Sequence, residues 1–156
     1  GSSAAGKHAD FEAPVAGSLI PITEVKDTAF SQKMVGDGFA IIPESDTVYA
    51  PWSGTVAACF ETNHAVGIVT ENGDEVLIHI GIDTVKLKGE GFKAFVKQGQ
   101  KVKAGDKLLE FDPEKIKAQG YEKTCILVFT NGDEYPDMKF HTGMDAVQNE
   151  TVIVEF

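Results

Sequence analysis

Two strand-like segments joined by a tight turn constrain this chain more than any other feature of its sequence. The first covers residues 64–70 and reads HAVGIVT, and the second covers 75–80 and reads EVLIHI. An Asn-Gly pair lies between them, and this is the strongest short-range signal for a two-residue turn in a β-hairpin. We therefore predict an antiparallel hairpin in which Val66 faces His79.

This register places two histidines on one face of the hairpin. Side chains alternate along a strand, so His64 shares the face of Val66 and lies diagonally across from His79, with the β-carbons roughly 7 Å apart. Thr62 belongs to the same face if the strand continues unbroken towards the N-terminus. A loop one residue longer would place the histidines on opposite faces. The predicted convergence therefore depends on the length of the turn.

The rest of the chain predicts many short strands and little helix. Apolar runs typical of strands lie at residues 39–42, 47–50, 125–129 and 151–156. A helix should begin at Pro113, with Asp112 as its cap, and end at Gly120. Residues 27–34 favour one or two further helical turns. We expect an all-β fold, an antiparallel β-sandwich or barrel of many short strands with one or two short helices.

One short pattern occurs twice and indicates an internal duplication. Residues 13–19 (APVAGSL) and 50–56 (APWSGTV) share the form A-P-x-(A/S)-G-(S/T)-(L/V). Both copies lead from a proline turn into a predicted strand. The chain of 156 residues is of single-domain size. We expect residues 1–10 to be a linker or cloning remnant and residues 11–156 to form one domain.

Charge and cysteine usage limit the function classes. The formal net charge of −10 weighs against binding to nucleic acid or to anionic membrane surfaces, and it favours basic partners. Cys59 and Cys125 lie in apolar runs, which predicts buried free thiols in a reducing cytoplasm. No apolar run is long enough to span a bilayer.

The predicted histidine pair suits three kinds of chemistry. Zinc ligation requires three or four converging ligands, so a further ligand would have to come from elsewhere in the chain. General acid–base catalysis requires a substrate pocket. Nucleophilic attack on phosphorus requires a neutral imidazole, a group that holds its other nitrogen, and a neighbouring donor for the phosphoryl oxygens. His79, His64 and Thr62 meet this last description without further residues.

Three segments resemble the enzyme IIA domains of the glucose family in the bacterial sugar phosphotransferase system. They are residues 35–40 (VGDGFA), 60–65 (FETNHA) and, above all, 79–92 (HIGIDTVKLKGEGF). The resemblance extends over about residues 11–156. It implies a phosphotransferase that accepts a phosphoryl group from the histidine-containing phosphocarrier protein and passes it to a cysteine of the enzyme IIB domain of a sugar permease.

The resemblance also implies roles for particular residues. His79 matches the phosphorylated histidine, His64 the histidine that hydrogen-bonds the phosphoryl group, and Thr62 the threonine that organises the pair. The attacking nitrogen of His79 would be the one farther from the main chain, while the nearer one donates to a backbone carbonyl around Gly81. No cofactor is required. Zinc would bind His64 and His79 only when a regulatory target contributes another ligand.

Further positions are expected to contact the partners. Asp37 and Asp83 match acidic positions that flank the site and meet arginines of the partners. An apolar surface around the histidines is expected to receive both partners in turn. Its members are Phe39, Ile41, Phe60, Ile68 and Leu77.

The alternative comes from a different class of protein. Zinc peptidases of the lysostaphin type have a related β architecture, and His64, His79 and Asp83 would supply their metal ligands. The relay predicts a cytoplasmic domain, free-standing or part of a membrane permease, with regulatory targets among its partners. Neither nucleic-acid binding nor direct membrane insertion is expected.

Overall fold

The computed structural model describes residues 14–71, 73–82 and 84–132, together with the strand residues 139–140, 145–146 and 154–155. This part of the chain forms antiparallel strands with two short α-helices and two 3-10 helices, which confirms the predicted fold class. The strands are β1 (Gly17–Pro21), β2 (Asp37–Pro43), β3 (Thr47–Tyr49), β4 (Gly54–Cys59), β5 (Ala65–Thr70), β6 (Glu75–Ile80), β7 (Phe92–Ala94), β8 (Lys101–Val102), β9 (Lys107–Phe111), β10 (Cys125–Phe129), β11 (Lys139–Phe140), β12 (Asp145–Ala146) and β13 (Val154–Glu155). The helices are α1 (Thr28–Ser31) and α2 (Pro113–Ala118), and the 3-10 helices are Ile22–Glu24 and Thr84–Leu87.

The main core lies between two sheets. An eight-stranded sheet has the order β12-β1-β2-β10-β6-β5-β4-β8, and a three-stranded sheet has the order β3-β9-β7. Inward-facing side chains of both sheets meet in one apolar cluster, and we call the surface of the large sheet that faces it the main-core face. The largest side chains that are fully buried there are Trp52, Phe39, Phe129, Leu19, Ile41, Ile68, Ile78, Ile80, Leu108, Leu109 and Ile116.

The opposite surface of the large sheet carries a second, smaller apolar cluster, and we call it the α1 face. Strand residues Ala40, Ile126 and Val128 lie under Ile22 and Phe30, which belong to the first 3-10 helix and to α1. The large sheet is therefore covered on both surfaces near its centre.

The large sheet consists of two related halves of four strands, β12-β1-β2-β10 and β6-β5-β4-β8. Corresponding strands lie at equal distances from the centre of the sheet, so β1 corresponds to β4 and β2 to β5. Gly17 opens β1 between β12 and β2, and Gly54 opens β4 between β8 and β5. The residue before each glycine accepts a main-chain hydrogen bond from a glutamate beyond the neighbouring strand, Ala16 from Glu44 at 2.8 Å and Ser53 from Glu71 at 3.1 Å. The two copies of the sequence pattern thus occupy equivalent positions, each at the start of a strand with a neighbour on both sides, as the predicted duplication requires.

The predicted local features are largely present. Asp112 caps α2 by accepting a hydrogen bond from Lys115 N at 3.2 Å, and Pro113 occupies the first helical position. Cys59 and Cys125 are free thiols, and burial raises the pKa of both, that of Cys125 to about 12. Of the predicted strand at 151–156, Val154–Glu155 is described as strand. Among the described residues, no helix is long and apolar enough to cross a membrane.

The predicted register of the β5–β6 hairpin is wrong by one residue. Ala65, not Val66, pairs with His79, and Val66 pairs with Ile78. The loop is one residue longer than predicted, because Thr70 takes the place of Glu71 opposite Asp74. These two residues are linked by hydrogen bonds of 2.9 Å between Thr70 N and Asp74 O and 3.0 Å between Thr70 Oγ1 and Asp74 Oδ2. Val66 and Ile68 therefore face the main core, on the side opposite to His79.

This register can be tested with two valines of the same strand. Val66 is 2% exposed and Val69 is 39% exposed. We expect Val66→Ala to lower the free energy of unfolding by about 2 kcal/mol, because it removes two buried methyl groups and leaves a cavity. The matched control Val69→Ala should change it by less than about 0.5 kcal/mol. Urea denaturation measures both, and equal losses would contradict the observed facing of β5.

Candidate functional site

His79 lies near the end of β6 on the α1 face of the large sheet. It is flanked by Ala65 on β5 and Ile126 on β10, which are its register partners. Its ring is half-buried, with its centroid 5.1 Å from that of Phe30. The helix α1 thus covers one side of the imidazole, and part of the residue stays exposed to solvent.

The turn that follows His79 fixes the orientation of its ring. His79 Nδ1 lies 2.9 Å from the carbonyl oxygen of Gly81, and since a carbonyl can only accept, Nδ1 carries the proton. Nε2 is then the unprotonated nitrogen of the ring. This is the hydrogen bond that the resemblance implied for the phosphorylated histidine.

Gly81 cannot be replaced without disturbing this turn. Its φ is +79°, a region that residues with a Cβ rarely adopt, and its N–H donates to Thr124 O at 2.7 Å. A Cβ at Gly81 would lie 2.3 Å from Thr84 Cγ2 and 2.7 Å from Glu122 O. The hydroxyl of Thr84 also donates to the carbonyl of Ile80, so the turn is tied down from both sides.

The side chains of His64 and His79 meet although strand alternation predicts opposite faces for them. Ala65 pairs with His79 and shares its face, so His64, one residue earlier, would be expected to face the main core. His64 comes just before β5, after a turn in which Asn63 has a φ of +54° and donates to Phe60 O. The carbonyl of His64 still accepts a hydrogen bond from Ile80 N at 2.7 Å. At the end of the strand the side chain is not confined to one face, and the two imidazole centroids lie 4.8 Å apart at an interplanar angle of 84°.

The surroundings of His64 keep it neutral and oriented. The hydroxyl of Thr62 is hydrogen-bonded to its Nδ1, and the rings of Phe60 and Phe92 lie 5.6 and 6.5 Å away. Burial, and secondly the nearby charge of His79, lowers the pKa of His64 from 6.5 to about 4. When the Thr62 hydroxyl donates to Nδ1, the single proton of the neutral ring is on Nε2, where it can be donated to a bound anion.

The expected apolar docking surface needs correction. Phe39, Ile41 and Ile68 are fully buried in the main core, so their predicted exposure is wrong. Each lies on the main-core face, and that side could not be assigned before the sheet neighbours were known. Phe60 is 41% exposed beside His64, and Leu77 is half-buried on the same face as His79.

Of the two acidic residues predicted to contact partners, the structure describes only Asp37. Asp37 opens β2, is half-buried, and forms an ion pair with Lys33 at 3.5 Å. Its Cα lies roughly 14 Å from that of His79, counted as two strands across and three residues along the sheet. Asp83 lies outside the described residues.

Two aromatic neighbours of the histidines received no role from the sequence. Phe30 contacts His79, and Phe92 contacts both His64 and the main core. Phe92 is the last residue of the long motif at 79–92, so its place in that motif could have indicated a role at the site. Phe30 carried no comparable signal, because a short apolar helix gives no indication of the sheet that it covers.

Metal ligation was the other chemistry open to the pair. Among the residues that the structure describes, no group of three or more His, Cys, Asp or Glu side chains could hold a metal ion. The third ligand named for the peptidase alternative, Asp83, lies outside that part of the chain. The described geometry thus offers two histidines and a hydroxyl, which is the set expected for phosphoryl transfer.

Comparison with known proteins identifies the relatives of this chain. Residues 9–135 match the family model described as phosphoenolpyruvate-dependent sugar phosphotransferase system, EIIA 1. The chain is 48% identical over 140 residues to the PTS system glucose-specific EIICBA component of Streptococcus pneumoniae, covering 89% of this chain and 19% of that protein. It is 43% identical over 143 residues to the PTS system glucose-specific EIIA component of Bacillus anthracis, covering 92% and 87%.

A further relative and a solved structure agree with this match. The PTS system beta-glucoside-specific EIIBCA component of Bacillus subtilis is 46% identical over 130 residues, covering 83% of this chain and 21% of that protein. The chain therefore spans about a fifth of its longer relatives and most of the shorter ones. The glucose permease IIA from Mycoplasma capricolum superposes with a TM-score of 0.83 at 40% identity, covering 92% of this chain and 93% of the other.

The protonation of His64 gives a first test of the site. We expect the imidazole of His64 to titrate near pH 4 in nitrogen NMR spectra. In His79→Gln the pKa of His64 should rise but stay below 6.5, because the charge effect is removed and burial remains.

The same pKa makes the stability of the protein depend on pH. The unfolded state binds more protons than the folded state between pH 6.5 and 4, so the free energy of unfolding falls as the pH falls through this window. Compared with His64→Gln, the wild type should lose about 2 kcal/mol more between pH 7 and pH 5. A normal pKa for His64 would contradict the enclosed site.

The turn at Gly81 gives a second test, with Gly73 as its matched control. Both glycines have positive φ, +79° and +88°, but a Cβ at Gly73 would have no atom within 4 Å. We expect Gly73→Ala to cost about 1 kcal/mol of unfolding free energy, from backbone strain alone. Gly81→Ala should cost at least about 2 kcal/mol more, because main-chain atoms must also move. It should also change the nitrogen shifts of His79, which report the proton on Nδ1; unchanged shifts would show that the turn does not orient the ring.

Proposed function

The chain belongs to the EIIA 1 family of the phosphoenolpyruvate-dependent sugar phosphotransferase system, and on this premise we propose that Nε2 of His79 carries the phosphoryl group. As a member, it is a phosphotransferase component that relays a phosphoryl group during sugar uptake. The hydrogen bond from His79 Nδ1 to Gly81 O carries the residue assignment, because it leaves Nε2 as the nucleophile.

The transfer is proposed to proceed in line between two nucleophiles. A phosphorus–nitrogen bond to the donor histidine of the phosphocarrier breaks as the bond to His79 Nε2 forms. In the second step this bond breaks as a bond to the thiolate sulfur of a cysteine in the EIIB domain forms. The proton stays on Nδ1, hydrogen-bonded to Gly81 O, throughout, so with a thiolate as acceptor neither step requires a proton shuttle. Such transfer relies on positioning and charge stabilisation.

The low pKa of His64 suits a reversible relay. A neutral imidazole donates a hydrogen bond to a phosphoryl oxygen without a net charge of its own, whereas an imidazolium would add a full positive charge and bind the phosphoryl group more strongly. The stronger bond would hold the phosphoryl group on His79 and oppose its onward transfer. We propose that Thr62 supports this role by occupying Nδ1, which keeps the donor proton on Nε2.

The partners are proposed to dock on the surface around His79. Phe60 and Leu77 supply its apolar part, and Asp37 and Asp83 supply acidic groups for basic side chains of the phosphocarrier and the EIIB domain. The net charge of −10 supports basic partners. We also propose that residues 11–156 form one domain, since β1 and β12, which lie near the two ends of this range, are neighbours in the large sheet.

The sugar is proposed to be selected outside this chain. Relatives that are 48% and 46% identical to it are named for different sugars, glucose and beta-glucoside. The alternative of a zinc peptidase finds no support, because the matched family and the relatives reported above are sugar phosphotransferase components.

Phosphorylation with phosphoenolpyruvate, enzyme I and the phosphocarrier protein tests the assignment. We expect one acid-labile phosphoryl group, located on Nε2 of His79 by phosphorus NMR and absent in His79→Gln. In His64→Gln the group should still form, while transfer to the EIIB cysteine slows by at least about tenfold, because the imidazole N–H no longer stabilises the charge on the phosphoryl oxygens in the transition state. Thr62→Val should cause a smaller loss of the same step. A phosphoryl group on His64, or on Nδ1 of His79, would refute the mechanism.

A further inference from the structure

The turn after His79 is held through the main-chain groups of Ile80 and Gly81. Ile80 N donates a hydrogen bond to His64 O at 2.7 Å. Gly81 N donates to Thr124 O, also at 2.7 Å, and Gly81 O accepts from Nδ1 of His79. The carbonyl of Ile80 is the fourth polar group of these two residues, and a buried carbonyl needs a partner as well.

The side chain of Thr84 supplies this partner. Its hydroxyl donates to Ile80 O, and both residues are 0% exposed, so solvent does not reach this hydrogen bond. Thr84 is the first residue of the 3-10 helix Thr84–Leu87, and Leu87 at the other end of that helix is buried in the main core. The hydroxyl is therefore held in place by an element that is anchored in the core.

Thr84 also packs directly against Gly81. A Cβ built at Gly81 would lie 2.3 Å from Thr84 Cγ2 and 3.1 Å from Thr84 Oγ1. The methyl group thus fills the space beside the Cα of Gly81, while the hydroxyl holds the carbonyl that precedes it. Both contacts act on the peptide group between Ile80 and Gly81, and the orientation of this group is part of the φ of +79° at Gly81.

We propose that Thr84 is a positioning residue for phosphoryl transfer, which holds the peptide group between Ile80 and Gly81 and thereby directs the carbonyl of Gly81 at Nδ1 of His79. The inference rests on the proposed function, in which Nε2 of His79 is the nucleophile. Nδ1 keeps its hydrogen bond only while Gly81 O stays close to it and in line with its N–H.

Loss of this alignment would change the nucleophile itself. Glycine tolerates both signs of φ, so Gly81 alone offers little resistance to a rotation of the preceding peptide group. Without the carbonyl of Gly81 as acceptor, the neutral ring of His79 would distribute its single proton over both nitrogens. A ring that is protonated on Nε2 has no electron pair there with which to attack phosphorus.

The two threonines of the site thus have different tasks in this proposal. Thr62 is hydrogen-bonded to the ring of His64, whereas Thr84 is hydrogen-bonded to the main chain next to His79. Thr62 orients the proposed hydrogen-bond donor directly. Thr84 orients the proposed nucleophile through Gly81.

Removal of the Thr84 hydroxyl tests the proposal. Thr84→Val keeps the branched shape of the side chain but leaves Ile80 O without its donor. Nitrogen NMR of neutral His79 should show the proton on Nδ1 in the wild type and a larger share on Nε2 in Thr84→Val. The rate of phosphorylation at saturating phosphocarrier should fall about three- to tenfold, the factor that corresponds to one hydrogen bond. KM for the phosphocarrier should stay unchanged, because Thr84 is buried and does not reach the docking surface.

A second pair of variants separates the hydroxyl from the packing of the methyl group. Thr84→Ser and Thr84→Ala both lose the methyl group, and only Thr84→Ser keeps the hydroxyl. We expect Thr84→Ser to retain the proton on Nδ1 and most of the rate, and Thr84→Ala to behave like Thr84→Val. This pair also decides the question if the valine variant does not fold.

Thr47→Val is the matched control for the loss of a buried threonine hydroxyl elsewhere. Thr47 lies on β3, is 8% exposed and donates to Asp46 Oδ1 at 3.0 Å. Its loss should affect stability only, with the proton of His79 and the rate unchanged.

Two results would overturn the role of Thr84. One is that Thr84→Ala lowers stability while the proton of His79 and the rate stay as in the wild type. The other is that Thr84→Ser loses as much as Thr84→Ala. A wild type that is not phosphorylated on Nε2 of His79 would contradict the proposed function instead, and this is measured before any variant of Thr84 is compared.

Discussion

The hydrogen bond between His79 Nδ1 and Gly81 O is the interaction on which the site depends. It requires the carbonyl of Gly81 to turn back towards the preceding strand, and this needs the φ of +79° that glycine tolerates. The main chain of Gly81 is itself held by Thr124, just before β10. The main chain of two central elements of the fold thus fixes which ring nitrogen of His79 is protonated, and no other titratable side chain is needed for this.

The second histidine is held by a different arrangement. His64 stands at the end of β5, where a turn ends and the sheet no longer dictates one face. Aromatic rings and the Thr62 hydroxyl enclose it, and this enclosure depresses its pKa. One histidine is therefore oriented by the backbone and accessible, while the other is buried and neutral. This difference in environment supports the two different roles proposed for the histidines, nucleophile and hydrogen-bond donor, although the two side chains are chemically identical.

Local signals in the sequence predicted the fold class, the helix α2 and the convergence of the two histidines. The cap at Asp112 and the proline after it depend only on neighbouring residues, so they could be predicted without tertiary information. The hairpin register could not, because the hydrogen bonds between Thr70 and Asp74 lengthen the loop. The histidines meet for a reason other than the predicted parity. Phe39 and Ile41 were misplaced because the side of a strand that is buried depends on sheet neighbours far away in the chain.

The matching strand order of the two halves of the large sheet shows at which positions they differ. The pairing of Gly17 with Pro43 and of Gly54 with Thr70 sets one alignment of the halves, and the registers with β10 and β6 agree with it. In this alignment Val128 is the counterpart of His79, and Asp37 is the counterpart of His64. An ancestral repeat with two equivalent halves would have offered two places for a reactive side chain. Here one half holds the histidine pair, while the equivalent positions of the other half hold a buried valine and a half-buried aspartate, so only one half offers imidazole nitrogens at this place.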